Sequence, residues 1–373
     1  MKVLIYRQLL IYLLVAGWAQ QSFAQKTSLV KTLEQSFEVN KGVSFELTNK
    51  YGDVVINGWD KDQFDVTIKL TTYGKDDENA RKMMDRIEFD FNVAKNYVII
   101  ETIMDREKGM LSEFFSTIGD YSKTLLNKSE IDIDFEINIP NGASIEIDNK
   151  FGDIVINDVN GKITINQSHG NFKSGNLTNL SRINVSYGNI DINQFKLGNI
   201  NIRGGDLELR YAEKVNITSN SSELFLKKID ELKLNSTSDK VHLSEVGILT
   251  GSTNFSNIDI YRFHKLCQLD QSYGEMVIHQ IDKDFESIKL KGKSTDYHMN
   301  FQKGTVFSVE ITAREDKLKM IENPLEMQSG FVDDKEKIIR VEGTYGTGQP
   351  DGRQLQLESN NGEVIIDFVL DVN

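Results

Sequence analysis

Residues that could carry chemistry recur in this sequence beside glycine. An aromatic residue, a glycine and an acidic or amide residue follow one another at several points of the chain. The copies that we select as a repeat motif are Tyr51-Gly52-Asp53, Phe151-Gly152-Asp153, Tyr187-Gly188-Asn189, Tyr273-Gly274-Glu275 and, without the aromatic residue, Asn361-Gly362-Glu363. If these copies stack, their acidic residues form one edge that could bind a cation, and their rings could stack on sugars.

The structural interpretation of the same motif is a turn. Calcium-binding solenoids carry a Gly-Gly-x-Gly-x-Asp repeat, which this sequence lacks, so a solvated turn is the favoured role for the acidic residues. The aromatic residues then cover a turn beside a glycine that needs either a positive φ or a close approach of two backbones. Both interpretations place the motif at the edge of a repeated unit.

The histidines and the cysteine give little evidence for a metal or catalytic site, and known catalytic motifs are absent from the sequence. His279 and His298 are 19 positions apart and could lie near one another, but two histidines without a fixed carboxylate partner are weak evidence for a metal. Cys267 forms an apolar-x-apolar pair with Leu269, which is typical of a small core residue. The sequence lacks Gly-x-Ser-x-Gly, a phosphate-binding loop and His-Glu-x-x-His. We predict a protein that is not an enzyme and needs no catalytic residue, metal or cofactor; a carbohydrate-active enzyme on a β-helix is the alternative.

The elements that position the motif repeat along the chain. Residues 49–56 match residues 149–156 at an offset of 100, and between residues 150 and 300 an apolar-x-apolar pair recurs. Its second member falls at Ile156, Ile192, Leu209, Leu226, Leu243, Ile260, Ile278 and Met299. The first interval is 36 residues and contains a degraded copy around Gly170 and Phe172; the next are 17, 17, 17, 17, 18 and 21. Each step holds two short strands and leaves no room for a helix.

This period predicts an all-β fold. We expect a single-stranded β-solenoid, similar to a parallel β-helix, with coils of 17–18 residues whose equivalent positions stack at the strand spacing of about 4.8 Å. An antiparallel meander in a sandwich or barrel is the alternative. The chain has only three prolines, as expected where each interior proline would remove a hydrogen bond between coils.

Composition and the N-terminus predict export. The net charge of −13 disfavours nucleic acid and anionic membranes as partners, and one cysteine cannot form an intramolecular disulfide. Lys2 and Arg7 precede the apolar stretch 9–18, and small residues precede a cleavage point after Ala24. We predict a signal peptide, with an uncleaved anchor as the alternative, and a mature chain without a transmembrane segment in the periplasm or at the cell surface.

The pattern also predicts how the chain is divided. We expect a signal peptide (1–24), N-terminal strands and a first coil (25–70), an inserted excursion (71–130), solenoid repeats (131–311), a charged loop or second excursion (312–353) and a closing coil (354–373). The excursion should contain a hairpin around Lys95 and Asn96 and an amphipathic helix. The apolar face of that helix comprises Leu111, Phe114, Phe115 and Ile118. It would cap an end or flank of the solenoid; partner docking or membrane contact is the alternative.

Three phrases of the repeat resemble a known family. Residues 51–59, 151–156 and 187–192 are similar to the bacterial adhesin-like family of auto-transporter adhesin head domains, which is named for a Gly-Ile-Asn signature. The resemblance covers most of residues 36–300 and the last 20 residues. It implies a β-solenoid, export from a bacterium, and an adhesive or envelope role with no catalytic residues. The partner we expect is therefore a protein or a glycan of the envelope or surface.

Overall fold

The computed structural model describes residues 27–104, 130–320 and 326–369, and this part of the chain is all-β, as predicted. The predicted signal peptide and the predicted helix with Leu111, Phe114, Phe115 and Ile118 lie outside the described residues. Within these ranges, one short α-helix, α1 (Asp77–Met84), and one 3-10 turn (Glu315–Lys317) accompany the strands. No helix within the described ranges is long and apolar enough to cross a membrane.

The strands, numbered in chain order, alternate with short turns. They are β1 (Thr27–Glu38), β2 (Ser44–Lys50), β3 (Val54–Trp59), β4 (Gln63–Gly74), β5 (Ile87–Ala94), β6 (Tyr97–Met104), β7 (Ile131–Pro140), β8 (Ser144–Lys150), β9 (Ile154–Asn157), β10 (Ile163–Ser168), β11 (Phe172–Ser186), β12 (Ile190–Arg203), β13 (Asp206–Asn220), β14 (Glu223–Thr237), β15 (Lys240–Ile281), β16 (Ser287–Gln302), β17 (Phe307–Arg314), β18 (Leu318–Met320), β19 (Glu326–Asp333), β20 (Ile338–Tyr345), β21 (Gln354–Ser359) and β22 (Val364–Val369).

The chain divides into two compact units. The smaller unit comprises residues 1–33, 69–88 and 103–133, and the larger comprises 34–68, 89–102 and 134–373. In the smaller unit, the Asp76 side chain caps α1 by accepting a 2.8 Å hydrogen bond from the Asn79 backbone N–H. This bond lowers the pKa of Asp76, as expected for a carboxylate at the N-terminus of a helix.

The larger unit contains a long mixed sheet in which most strand pairs are parallel. Strand β2 lies between β6 and β8, and β3 lies between β7 and β9, all in parallel register. The two matching phrases of the sequence are therefore direct neighbours: Ser44 pairs with Ser144 and Val54 with Ile154, 100 positions later. Residues 51–143 lie in sequence between β2 and β8, which pair with one another.

From β10 to β16 each strand pairs with the next one in the chain. Residues of β10 pair with residues 18 positions later in β11. The offset is 18 and then 17 from β11 to β12, and 17 from β12 to β13, β13 to β14 and β14 to β15. Inward positions stay in line through these registers, for example Ile190, Leu207, Leu224 and Val241, all buried.

The C-terminal part of the larger unit departs from this order. Strand β16 pairs in parallel with β21 and β22. The intervening residues form β17, which is parallel to β21 and antiparallel to β20, and an antiparallel pair of β19 and β20. The segment 312–353, for which a charged loop or an excursion is predicted, thus contains regular strands.

Candidate functional site

One residue per step has a left-handed backbone, and these residues stack in a column. Those from Tyr51 to Ser238 donate their backbone N–H to the carbonyl oxygen of the residue just before the next member of the column; for example, Phe151 donates to Ser168 and Tyr187 to Arg203. We call this set the turn column. It comprises Tyr51, Phe151, His169, Tyr187, Gly204, Ser221, Ser238, Phe255, Tyr273 and Ser294, whose φ angles lie between 51° and 66°. The left-handed conformation belongs to the aromatic residue of the motif, not to the glycine that follows it.

Rings of the turn column stack on one another. The ring centroids of Tyr51 and Phe151 are 5.3 Å apart, those of Phe151 and His169 5.0 Å, and those of His169 and Tyr187 5.1 Å. A second stack joins Phe255 to Tyr273 at 4.8 Å, with 9° between the ring planes. Within each stack the rings cover each other's faces, so a sugar can reach only the faces at its ends.

The glycines of the motif lie where adjacent backbones approach closely. A Cβ built on Gly152 would overlap the carbonyl oxygen of Gly52, and one on Gly188 would overlap that of Gly170. Gly274 and Gly362 stand in the same relation to the carbonyl oxygens of Ser256 and Thr295. At these four positions the glycine is required by proximity, because a Cβ there would push the two backbones apart.

The acidic residues of the motif bind the backbone of the next step. Asp53 Oδ1 accepts a hydrogen bond from the N–H of Asp153 at 2.7 Å, and Asp153 Oδ1 accepts one from the N–H of Asn171 at 2.8 Å. Asn171 and Asn189 continue the series with the N–H groups of Asn189 and Asp206, both at 2.9 Å. These oxygens are engaged in joining successive turns, so their first role is structural.

In the middle of the series a buried aspartate replaces the glycine. Asp239 is 4% exposed. Its carboxylate accepts hydrogen bonds from the backbone N–H groups of Ser222 (2.8 Å) and Thr237 (3.0 Å) and from the hydroxyls of Ser219 and Ser236 (both 2.6 Å). Four donors replace the water that burial removes, which is the condition for keeping a carboxylate inside a protein.

Beside the turn column lies a groove of about 610 Å³, which we call the polar groove. It is lined by residues 218–220 of β13, 235–237 of β14, 252–254 and 270–272 of β15, 291–293 of β16, by Glu358 of β21, and by Asn360, which directly follows β21. The middle residue of each triplet is buried, whereas its two neighbours are exposed or half-buried. Two outward columns of side chains thus run along the groove.

The exposed side chains of the polar groove are hydrogen-bonding groups without a net charge. Hydroxyls and amides line its β13, β14 and first β15 segments, for example Thr218, Asn235 and Ser252. Its charged residues are Asp270, Lys291, Lys293 and Glu358, whose formal charges cancel. The rings of Phe255 and Tyr273 directly follow groove residues in the chain. The arrangement can bind a polar ligand by hydrogen bonds and by contact with a ring.

The other side chains considered for chemistry, His279, His298 and Cys267, do not line the polar groove. His279 Nε2 lies 2.6 Å from Asp259 Oδ1, and His298 pairs in register with Val277 rather than with His279. Among the described residues, no group of three or more His, Cys, Asp or Glu could hold a metal ion. Cys267 is fully buried, and burial raises the pKa of its thiol to about 12.

The comparisons with known proteins give structural neighbours only. No protein-family model and no curated protein matches the sequence. A candidate cell adhesion protein from Clostridium sporogenes is 11% identical, with 93% of this chain and 100% of that chain aligned and a TM-score of 0.21. A candidate adhesin from Bacteroides fragilis is 13% identical, with 91% and 97% aligned and a TM-score of 0.22. Likenesses at these TM-scores carry no argument about this chain.

Sequence reasoning missed three parts of this region: His169 and Phe255 in the turn column, Asp239, and the polar groove. His169 and Phe255 each precede a motif tyrosine by 18 residues, and Asp239 precedes Ser256 by 17. Aligning the sequence on that step would have found all three residues. The part of the groove that Glu358 and Asn360 line has no comparable signal, because it depends on a strand from a distant part of the chain.

Proposed function

We propose that this chain is an exported, non-enzymatic β-solenoid that serves as an adhesin-like scaffold or binding module of a bacterial cell envelope or surface. The observation that carries the proposal is the polar groove, an uninterrupted set of exposed hydrogen-bonding side chains drawn from six neighbouring strand segments. Such a surface suits an extended partner that contacts many residues weakly, rather than a small substrate held in an enclosed pocket.

The solenoid itself is part of the proposal. Constant offsets of 17 and 18 between paired strands support coils of that length. The turn column and the buried column through Ile190 and Leu207 supply the stacked equivalent positions that a coil requires. With this architecture the resemblance to the auto-transporter adhesin head family gains weight, and we propose membership of a family of that type.

The sequence supports the proposals of export and of an envelope or surface partner. The proposed signal peptide ends at Ala24 and directs the chain to the periplasm or the surface. The net charge of −13 disfavours nucleic acid, which leaves an envelope or surface protein or a glycan as the partner. We further propose that the segment with Leu111, Phe114, Phe115 and Ile118 covers an end or flank of the solenoid.

Fractionation and an activity assay test this function together. Untagged full-length chain, expressed in a bacterial host, is expected in the periplasmic or surface fraction with an N-terminus at Gln25. The purified mature chain is expected to sediment with isolated envelopes and to release no reducing ends from envelope polysaccharide. Cytoplasmic location with an intact N-terminus, or absence of sedimentation, contradicts the binding module. Release of reducing ends supports the carbohydrate-active enzyme instead.

A further inference from the structure

We infer that the polar groove binds an uncharged polysaccharide chain, with one sugar ring packed on the exposed face of Phe255. This inference rests on the proposed function and names the chemistry of its partner. It follows from three features of the groove: the kind of hydrogen-bonding group, the spacing of those groups, and the position of one aromatic face.

The hydrogen-bonding groups suit hydroxyls. Thr218, Asn235, Thr237, Ser252 and Asn254 all line the groove, and each side chain can both donate and accept. Sugar hydroxyls also donate and accept, so this lining can satisfy them in either direction. A groove made for a peptide or a nucleic acid would need apolar pockets or a surplus of positive charge.

The spacing of these groups suits a polymer. Thr218, Asn235 and Ser252 occupy paired positions on successive strands. Neighbouring strands are about 4.8 Å apart, which is close to the advance of one pyranose unit along an extended chain. Successive sugars running across the strands would therefore meet equivalent side chains. The six strand segments of the groove span about 24 Å on this spacing, enough for several sugars.

The aromatic face lies at the edge of this array. Phe255 is 58% exposed and stacks on Tyr273 with one face only. Its other face is turned toward Ser238, the preceding member of the turn column, whose N–H bonds to Asn254. The small Ser238 leaves room beside the ring, and the C–H face of a pyranose can pack there. Tyr273 offers no second such face, because Lys293 Nζ lies 5.6 Å from its ring centroid.

The charges of the groove and of the whole chain indicate whether the polysaccharide is neutral or acidic. Lys291 and Lys293 would attract acidic sugars, but Asp270 and Glu358 line the same end of the groove and cancel their charge. The chain as a whole carries −13, which repels a polyanion. The groove therefore favours an uncharged chain over a uronic acid polymer.

Calorimetric titration of the mature chain tests this inference. The probes are chitohexaose, cellohexaose and maltohexaose as uncharged hexasaccharides and hexagalacturonate as the acidic one. We expect at least one uncharged probe to bind more tightly than hexagalacturonate. Phe255→Ala is expected to weaken that binding at least tenfold, whereas Phe255→Tyr, which keeps the ring, retains it. Phe225→Ala is the matched control: Phe225 is 43% exposed and stacks on His242 at 5.2 Å but, unlike Phe255, it does not directly follow a groove residue in the chain.

The outcomes distinguish the inference from the proposed function. The inference is overturned if no uncharged probe binds, if hexagalacturonate binds best, or if Phe255→Ala and Phe225→Ala bind alike. Sedimentation with envelopes that persists alongside any of these results retains the binding module and points to a protein or an acidic polymer as its partner. Sugar binding without sedimentation retains the groove as a sugar site and overturns the envelope role.

Discussion

Asp53 Oδ1 accepts a 2.7 Å hydrogen bond from the backbone N–H of Asp153, its counterpart 100 residues later in the chain. This bond joins two steps of the fold at the point where the chain turns. Asp153 makes the same bond to Asn171, and Asn171 to Asn189. A short side chain with an oxygen at this position satisfies a backbone N–H that the turn would leave without a partner. The Asp or Asn at this position of the motif thus follows from the turn's need for an acceptor oxygen.

Replacing one member of this series tests its structural role. Asp153→Ala removes the acceptor of the Asn171 N–H and is expected to lower the free energy of unfolding by about 1 kcal/mol. Asp153→Asn keeps an oxygen in place, as the natural Asn171 and Asn189 do, and is expected to leave stability nearly unchanged. Urea denaturation measures both. Equal losses in the two variants would show that the charge matters rather than the acceptor.

The close approach at the motif glycines predicts a strong difference between Gly188, in the turn between β11 and β12, and Gly175, in β11. Gly188→Ala places a Cβ against the carbonyl oxygen of Gly170, and the backbones must separate. We expect a loss of about 2 kcal/mol or more in the free energy of unfolding. Gly175→Ala, in β11, meets nothing within 4 Å and is the control. Thermal denaturation should separate the two variants; similar melting temperatures would refute the close approach.

The buried carboxylate of Asp239 predicts a larger effect. Asp239→Ala leaves four hydrogen-bond donors without their acceptor in a buried site, and we expect a loss on the order of 3 kcal/mol. Asp259→Ala removes a carboxylate that is half exposed and pairs with His279, so its effect should stay within about 0.5 kcal/mol. Denaturant titration of the two variants checks this. A small loss for Asp239→Ala would mean that its donors find other partners.

The buried thiol of Cys267 predicts a dependence on pH. Its pKa is raised by burial from 9.0 to about 12, so the folded thiol stays protonated where an unfolded one ionises. Its contribution to stability is complete below about pH 9 and falls as the pH rises above that value. At about pH 8 the folded chain is expected to react with an aromatic disulfide reagent only as fast as it unfolds. Rapid reaction of the native chain would contradict the burial.

The regular part of the fold could be predicted from the sequence because its physical causes are local. Alternation of apolar residues places Ile190 and Ile192 on the inward face, and both are buried. The identity of the left-handed residue could not be predicted in the same way. Glycine is the usual residue at a positive φ, but here Gly188 is held by close contact and Tyr187 takes the left-handed conformation.

The candidate site was less predictable because it depends on register between distant segments. Glu358 reaches the polar groove because β21 pairs with β16, although residues 303–353 separate them in sequence. The buried site of Asp239 could not be predicted either, because the serines that donate hydrogen bonds to it resemble ordinary turn residues until the strands are aligned. Features that depend on pairing between strands far apart in sequence can be identified only from the structure.

The central claim is that the polar groove is the binding surface of this chain. Ser252 and Ser244 are both exposed serines of β15, but only Ser252 lines the groove. Ser252→Trp fills the groove with a bulky side chain, whereas Ser244→Trp places the same side chain outside it. Sedimentation of each purified variant with isolated envelopes should show strong loss for Ser252→Trp and wild-type binding for Ser244→Trp. Equal binding by the two variants would contradict the claim.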